Sequence, residues 1–148
     1  MSSANSVKLN WLAILVAALA CFFFEAIWFS LFMIPWLEGV GRTHEYLTTV
    51  ATISPAVQYV TAFLCSVVAA TVLSVLTQIS GPQTAKRGIL IAILVWVGFV
   101  ATTWAKEYVF EARTLEIYTI NAGNSLIGLT ILGAITGAWK ARANLLKV

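Results

Sequence analysis

Long stretches of this sequence contain no charged residue, and they limit the folds that the chain can adopt. No Asp, Glu, Lys or Arg occurs in 46–85, 88–105 or 117–139, and 9–37 contains a single charged residue, Glu25. A soluble domain carries about 25% charged residues, whereas this chain has 10%. Roughly 20 apolar residues in a helix cross the hydrocarbon of a bilayer. The sequence therefore predicts an all-α integral membrane protein.

Turn and cap residues divide the chain into helices within one transmembrane domain, 1–148. Ser54 followed by Pro55 is typical of a helix start, and the Ser-Gly-Pro at 80–82 is typical of a helix stop. The apolar spacing in the first connector indicates a short interfacial helix over 43–52. We predict a four-helix bundle, with helices over about 9–36, 56–79, 87–108 and 115–140.

Lys and Arg are distributed unevenly between the two ends of this predicted bundle. More of them lie at the end that holds both termini, and the loop glutamates all lie at the opposite end. Because Lys and Arg are enriched in cytoplasmic loops, we expect a multi-pass protein of the cell membrane with both termini cytoplasmic. We define the basic end by Lys8, Lys86, Arg87, Lys140, Arg142 and Lys147, and the acidic end by Glu38, Glu45, Glu107, Glu111 and Glu116.

Several kinds of ligand and partner do not fit this composition. Nucleic-acid binding requires Lys and Arg clustered on one folded face, whereas here they flank apolar runs. Cys21 and Cys65 fall inside apolar runs and are expected to be small buried residues. His44 is the only histidine, which is too few ligands for a metal site. We expect no nucleic acid, metal or cofactor; the expected partners are the lipid bilayer and either further copies of this chain or another membrane protein.

Glu25 is the most informative residue because it is the one charged residue inside a predicted span. It lies 14 residues after Trp11 and 11 before Trp36, roughly 21 and 16 Å along a helix axis. A carboxyl at this depth costs a few kcal/mol or more and is expected to face protein. We expect a neutral acid that hydrogen-bonds a neighbouring helix. The alternative is a proton or cation relay, or a ligand contact.

The fourth predicted helix carries polar residues near the depth of Glu25. Counted inward from the acidic end, Glu25 lies at the depth of Gly128, and Asn124 and Ser125 are its expected hydrogen-bond partners. For the Asn and Thr residues we expect bonds between helices and not ligand contacts. The candidate polar pocket consists of Glu25, Asn121, Asn124, Ser125, Thr102 and Thr103.

Small residues at four-residue spacing favour close contact between membrane helices. One such row leads to Glu25 on the first helix, and a Gly-xxx-Gly pair lies near the end of the fourth. The spacing leaves open whether these contacts form within the bundle or between subunits. The residues predicted to pack are Ala13, Ala17, Cys21, Gly128, Gly133 and Gly137.

Short motifs at both ends of the chain resemble those of a known family. They are Asn-Trp-Leu-Ala at 10–13, Ala-Ile-Trp-Phe-Ser at 26–30, Phe-Glu-Ala-Arg at 110–113, Ile-Asn-Ala-Gly at 120–123 and Gly-Ala-Ile at 133–135. On these motifs the chain resembles a domain-of-unknown-function family of small four-helix membrane proteins, unknown-function family 1761. The resemblance implies the topology and no activity. That family usually has Gly where this chain has Glu25, so the resemblance implies no shared role for this residue.

Three classes of function fit these observations. Our first interpretation is a structural or accessory protein that acts as a homo-oligomer or as a subunit of a complex. The alternative is an oligomeric transporter or channel for a small solute, a cation or protons, using Glu25. A membrane enzyme fits least, because the sequence contains no recognisable nucleophile and base. Whether Glu25 lines a cavity or is sealed between helices distinguishes the first two classes.

Overall fold

The computed structural model describes residues 7–50 and 53–140, and the regular structure within them is helical. Four helical spans are long and apolar enough to cross a membrane, namely Trp11–Leu31, Pro55–Ile79, Ala85–Phe110 and Leu115–Ala138. The predicted all-α fold with four such helices is confirmed.

Eight elements make up these spans and their connectors. A π-helical segment, Trp96–Ala101, joins α5 to α6 within the third span. The α-helices are α1 (Trp11–Leu31), α2 (Met33–Gly39), α3 (His44–Thr49), α4 (Pro55–Ile79), α5 (Ala85–Val95), α6 (Thr102–Phe110) and α7 (Leu115–Ala138).

Side-chain caps fix where most of these helices begin. In each case an oxygen of the capping side chain accepts a backbone N–H from the first turn, which would otherwise lack a partner. The caps of α1, α3, α4, α5 and α7 are Asn10, Thr43, Ser54, Thr84 and Thr114, respectively.

The first span is interrupted near the acidic end. A continuous helix over 9–36 was expected, but α1 ends at Leu31 and α2 begins at Met33. Pro35 explains the interruption, because proline lacks an N–H for the carbonyl of Leu31 and its ring clashes with that carbonyl. The expectation of one unbroken helix is wrong here.

The connector between α2 and α4 contains α3, which lies inside the predicted interfacial helix. Its side chains are exposed, apart from the half-buried Tyr46. Residues 51–52 of the predicted 43–52 helix lie outside the described residues.

α7 is the central helix of the bundle. It packs against α1, α2, α4, α5, the π segment and α6. Of the four spans, its span is the most buried and the third span is the least buried. The buried core lies where α1, α4, α5 and α7 meet and consists of Ile14, Ala17, Cys21, Ala70, Leu73, Ala92 and Leu132.

The closest helix contact joins α5 to α7 through glycines. A Cβ added to Gly133 would collide with the carbonyl of Gly88 and lie 3.0 Å from the Cβ of Ala92. A Cβ added to Gly137 would lie 2.5 Å from the carbonyl oxygen of Thr84. The structure thus places both glycines of the Gly-xxx-Gly pair against α5 of the same chain.

Hydrogen bonds fasten the helix ends together at the basic end. The Nδ2 of Asn10 donates to the carbonyl oxygen of Lys140 at 3.1 Å, which joins the start of α1 to the end of α7. The backbone N–H of Lys8 donates to Oε1 of Gln78 near the end of α4, also at 3.1 Å. Gln83 in the α4–α5 connector donates to the carbonyl of Thr136 at 2.6 Å. The basic end is therefore closed by polar contacts among all four spans.

Candidate functional site: a lateral cavity at Glu25

Small residues on α7 allow α1 to approach closely at the position of Glu25. A Cβ added to Gly128 would lie 3.2 Å from Sγ of Cys21 and 3.7 Å from Oε1 of Glu25. Ala13 and Ala17 continue the same row of α1 toward the basic end and are buried. The expectation that Glu25 and Gly128 lie at the same depth is confirmed.

The hydrogen bonding of Glu25 differs from the expectation. Its one hydrogen bond within the described residues comes from its own helix: Sγ of Cys21 donates to Oε1 at 3.7 Å. The predicted bond to Asn124 or Ser125 is therefore wrong. The hydroxyl of Ser125 donates instead to the carbonyl of Ala122, at 3.0 Å, so its proton is used within α7.

Trp96 occupies the other side of the Ser125 hydroxyl. Its indole Nε1 donates to Oγ of Ser125 at 3.1 Å and to the carbonyl of Ala122 at 3.0 Å. Trp28 of α1 donates in the same way to the carbonyl of Ile120, at 3.1 Å. Two indoles from different spans therefore donate to carbonyls two residues apart on α7, between Glu25 and the acidic end.

Asn124 is buried without a partner for its side-chain oxygen. The residue is 8% exposed, and its Oδ1 accepts no hydrogen bond from the part of the chain that the structure describes. It lies on α7 one helical turn from Gly128, on the stripe that also contains the buried Ile117 and Ile120. Asn124 therefore lies near the depth of Glu25 but does not bond to it.

The other residues of the predicted polar pocket lie elsewhere. Asn121 donates to the hydroxyl of Tyr108, which bridges α7 and α6 as expected for a helix contact. Thr102 is exposed and donates within its own span to the carbonyl of Gly98, at 2.9 Å. Thr103 is also exposed. Of the six predicted pocket residues, the structure brings Glu25 and Ser125 together in one cavity.

That cavity has a volume of about 360 Å³, and the residues that line it lie near the middle of the four candidate spans. Cys65 of α4 is ten residues after Pro55, roughly 15 Å along the axis from the start of the helix. Most of the cavity wall is apolar or small. All four spans contribute to the wall, the third through its π segment. The lining residues include Cys21, Glu25, Cys65, Ser66, Val100 and Ser125.

The cavity opens sideways between α4 and the third span. α4 packs against α1, α5 and α7, but it makes no comparable contact with the π segment or α6. Cys65, in the α4 wall, is exposed, so the expectation that both cysteines are buried is wrong for this residue. In a bilayer crossed by these four spans, hydrocarbon surrounds the middle of the bundle, and the opening lies at that level.

Sequence reasoning missed the α4 wall of this cavity. A signal was present, since Ala62, Ser66 and Ala69 are small residues at helical spacing. Nothing in the sequence distinguished that row from an ordinary packing face. The role of Val100 could not be predicted either, because it depends on the π segment.

Metal ligands and ion pairs are scarce around Glu25 among the described residues. Within 7–50 and 53–140, no group of three His, Cys, Asp or Glu side chains could hold a metal ion. Glu111 pairs with Arg113 at the acidic end. Each Lys and Arg within 7–50 and 53–140 lies toward one end of the bundle or the other. In this part of the chain, Glu25 is thus a carboxyl without a neighbouring cation.

The sequence is similar to one protein family over most of its length. A family model described as "Protein of unknown function (DUF1761)" matches residues 12–137. The chain belongs to this family. The match includes all four spans, and the description assigns no activity to the family. No curated protein and no solved structure matches the chain.

Proposed function

We propose that the protein binds and moves a small solute, a cation or protons within the membrane, with the carboxyl of Glu25 as the binding group. The observation that supports this most is that Glu25 lines a cavity and is not sealed between helices. A mid-membrane carboxyl costs a few kcal/mol or more, and such residues typically mark ion or substrate paths. Here no other described helix offsets that cost with a hydrogen bond.

Four helices are few for a complete path across the bilayer, so the proposal includes a homo-oligomer or a partner subunit. The cavity is closed toward the basic end by the glycine contact between α5 and α7 and the bonds of Asn10 and Gln83. It opens between α4 and the third span, where a second copy can complete it. In the proposed orientation, the basic end and both termini face the cytoplasm of the cell.

Flux through reconstituted protein tests this proposal. Purified protein in proteoliposomes is expected to dissipate an imposed proton gradient, or to exchange protons for an added cation. Glu25→Gln, which keeps the side-chain size and removes the acid, is expected to abolish that flux. Glu116→Gln changes an exposed glutamate of α7 and is the matched control. Equal flux in native protein, Glu25→Gln and protein-free vesicles would contradict the proposal.

A structural or accessory role is the second candidate, and the low burial of the third span favours it. In the half of this span nearer the acidic end, large apolar side chains are strongly exposed, among them Phe99 at 73% and Phe110 at 85%. A neighbouring subunit can cover this face as well as lipid can. If native protein co-purifies with a stoichiometric partner subunit, and Glu25→Gln leaves both that complex and all fluxes unchanged, the accessory role replaces the first proposal.

A further inference from the structure

We propose that the cavity at Glu25 binds a lipophilic organic cation, an ammonium or phosphonium group on an apolar body, which enters from the bilayer between α4 and the third span. This inference rests on the proposed function, because it names the class of substrate for the same carboxyl. Neither the family description nor the predicted polar pocket specifies such a ligand.

Charge complementarity selects a cation. Within the described residues, Glu25 receives one weak hydrogen bond, from the thiol of Cys21, and no Lys or Arg lines its cavity. A carboxyl in hydrocarbon is stable either as the neutral acid or beside a positive charge. A bound cation supplies that charge, and the proton of the acid is released to water. The exchange is one cation for one proton.

The cavity wall selects an apolar body over a hydrated metal ion. Metal ions such as Ca²⁺ and Mg²⁺ require about six or more oxygen ligands, from protein or water. Here the side-chain oxygens that line the cavity are the two of Glu25 and the hydroxyls of Ser66 and Ser125, which is at most four, and the Ser125 hydroxyl already accepts from the indole of Trp96. The rest of the wall is mostly apolar. A volume of about 360 Å³ is at the small end of the range for small-molecule sites.

The position of the opening indicates the route. Cys65 is exposed and lines the cavity, roughly 15 Å along α4 from its start. A molecule that partitions into the bilayer reaches this depth without crossing the polar ends of the bundle. A lipophilic cation therefore has access to Glu25 that a hydrated ion lacks.

Equilibrium binding to the full chain in lipid nanodiscs tests the inference, with tetraphenylphosphonium and octyltrimethylammonium as probes. We expect saturable binding of at least one probe and release of about one proton per cation in weakly buffered medium. The affinity is expected to fall about tenfold per pH unit on acidification, where the acid is protonated, because the proton and the cation compete for one carboxyl. The other titratable groups that line the cavity are the thiols of Cys21 and Cys65, and α7 and the third span contribute none.

Two matched pairs of variants locate the binding site. Glu25→Gln is expected to weaken binding at least tenfold, whereas Glu116→Gln changes it less than twofold. Cys65→Trp fills the mouth of the cavity and is expected to weaken binding at least tenfold. Leu64→Trp introduces the same side chain at the neighbouring exposed position, outside the cavity, and is expected to have little effect. Should Cys65→Trp fail to fold, protection of the native Cys65 thiol from alkylation by the bound probe replaces it.

The outcomes separate this inference from the proposed function. If neither probe binds saturably, or if Glu25→Gln binds as well as native protein, the inference is overturned. If proton or inorganic-cation flux still depends on Glu25 in that case, the proposed function stands without it. If flux and binding are both absent, both proposals fail. Equal binding by Cys65→Trp and Leu64→Trp would show that the cation does not occupy this cavity.

Discussion

At the scale of single residues, two polar side chains lie near mid-membrane with unmet hydrogen-bonding capacity. Among the described residues, Glu25 has only the thiol of Cys21 as a partner, and Oδ1 of Asn124 accepts no hydrogen bond. Buried polar groups without partners lower the stability of a fold. Their presence is typical of sites where a ligand or a function has taken precedence over stability.

Glu25→Leu is expected to leave the folded state intact and to raise its thermal unfolding midpoint slightly or leave it unchanged. The substitution removes one weak bond, which in a membrane protein contributes on average about 0.6 kcal/mol. It also removes the cost of placing a carboxyl in hydrocarbon. Unfolding followed by intrinsic fluorescence in detergent measures this. A loss of several degrees, with Glu25→Gln unaffected, would show a structural hydrogen bond that the cavity geometry does not contain.

Asn124→Leu is expected to stabilise the protein, by about 1 kcal/mol, because it replaces an amide whose oxygen has no partner among the described residues with an apolar side chain of the same branching and heavy-atom count. Asn121→Leu is the matched control on the same helix and is expected to destabilise by a similar amount. It leaves the hydroxyl of Tyr108 without its donor. The same unfolding assay compares the two variants. Destabilisation by Asn124→Leu equal to that of Asn121→Leu would indicate that Asn124 has a partner.

The residue scale also shows what the sequence could and could not predict about the site. The depth of Glu25 follows from its distance to the interfacial tryptophans and needs only the helical rise. Its hydrogen-bond partners do not follow, because the orientation of Ser125 depends on Trp96, which lies on another span. Asn124 lies near the depth of Glu25. Whether its side chain points toward Glu25 could not be predicted, because the packing of the whole bundle sets that direction.

At the scale of elements, long apolar runs and capping residues made the four spans predictable. Ser54 and Pro55 begin α4 as predicted. The break at Phe32 was missed because a proline near the end of an apolar run is compatible both with a helix exit and with an interruption. The π segment has no local signature here. It begins at Trp96, whose indole donates a hydrogen bond to the carbonyl of Ala122 on α7.

Gly133→Ala tests the contact between α5 and α7. The added methyl group would meet the carbonyl of Gly88, so the helices have to separate, at a cost of about 1–3 kcal/mol. Gly98→Ala is the matched control, because a Cβ there meets nothing within 4 Å. Replacing a helical glycine without steric conflict is expected to stabilise by about 0.5–1 kcal/mol. Thermal unfolding measures both, and equal effects of the two substitutions would contradict the contact.

At the scale of the whole molecule, the basic and acidic ends define an orientation that cysteine labelling tests. In a background with Cys21 and Cys65 replaced by alanine, Glu45→Cys is expected to react with an impermeant thiol reagent in intact cells. Lys86→Cys is expected to react only after the membrane is permeabilised, because Lys and Arg are retained on the cytoplasmic side. The reverse pattern would invert the proposed topology. The second reporter that the charge pattern suggests, Lys147, lies outside the described residues.

Both the proposed transport function and the proposed cation binding require Glu25 to be a neutral acid that is reachable from the bilayer. Labelling of the native protein in membranes with dicyclohexylcarbodiimide, a hydrophobic reagent for protonated carboxyls, tests this most directly. Mass spectrometry of the digested protein is expected to show modification at Glu25, whereas the loop glutamates react with a water-soluble carbodiimide instead. If Glu25 remains unmodified in the folded protein but reacts once the protein is denatured, the carboxyl is sealed between helices and the cavity has no access from the bilayer.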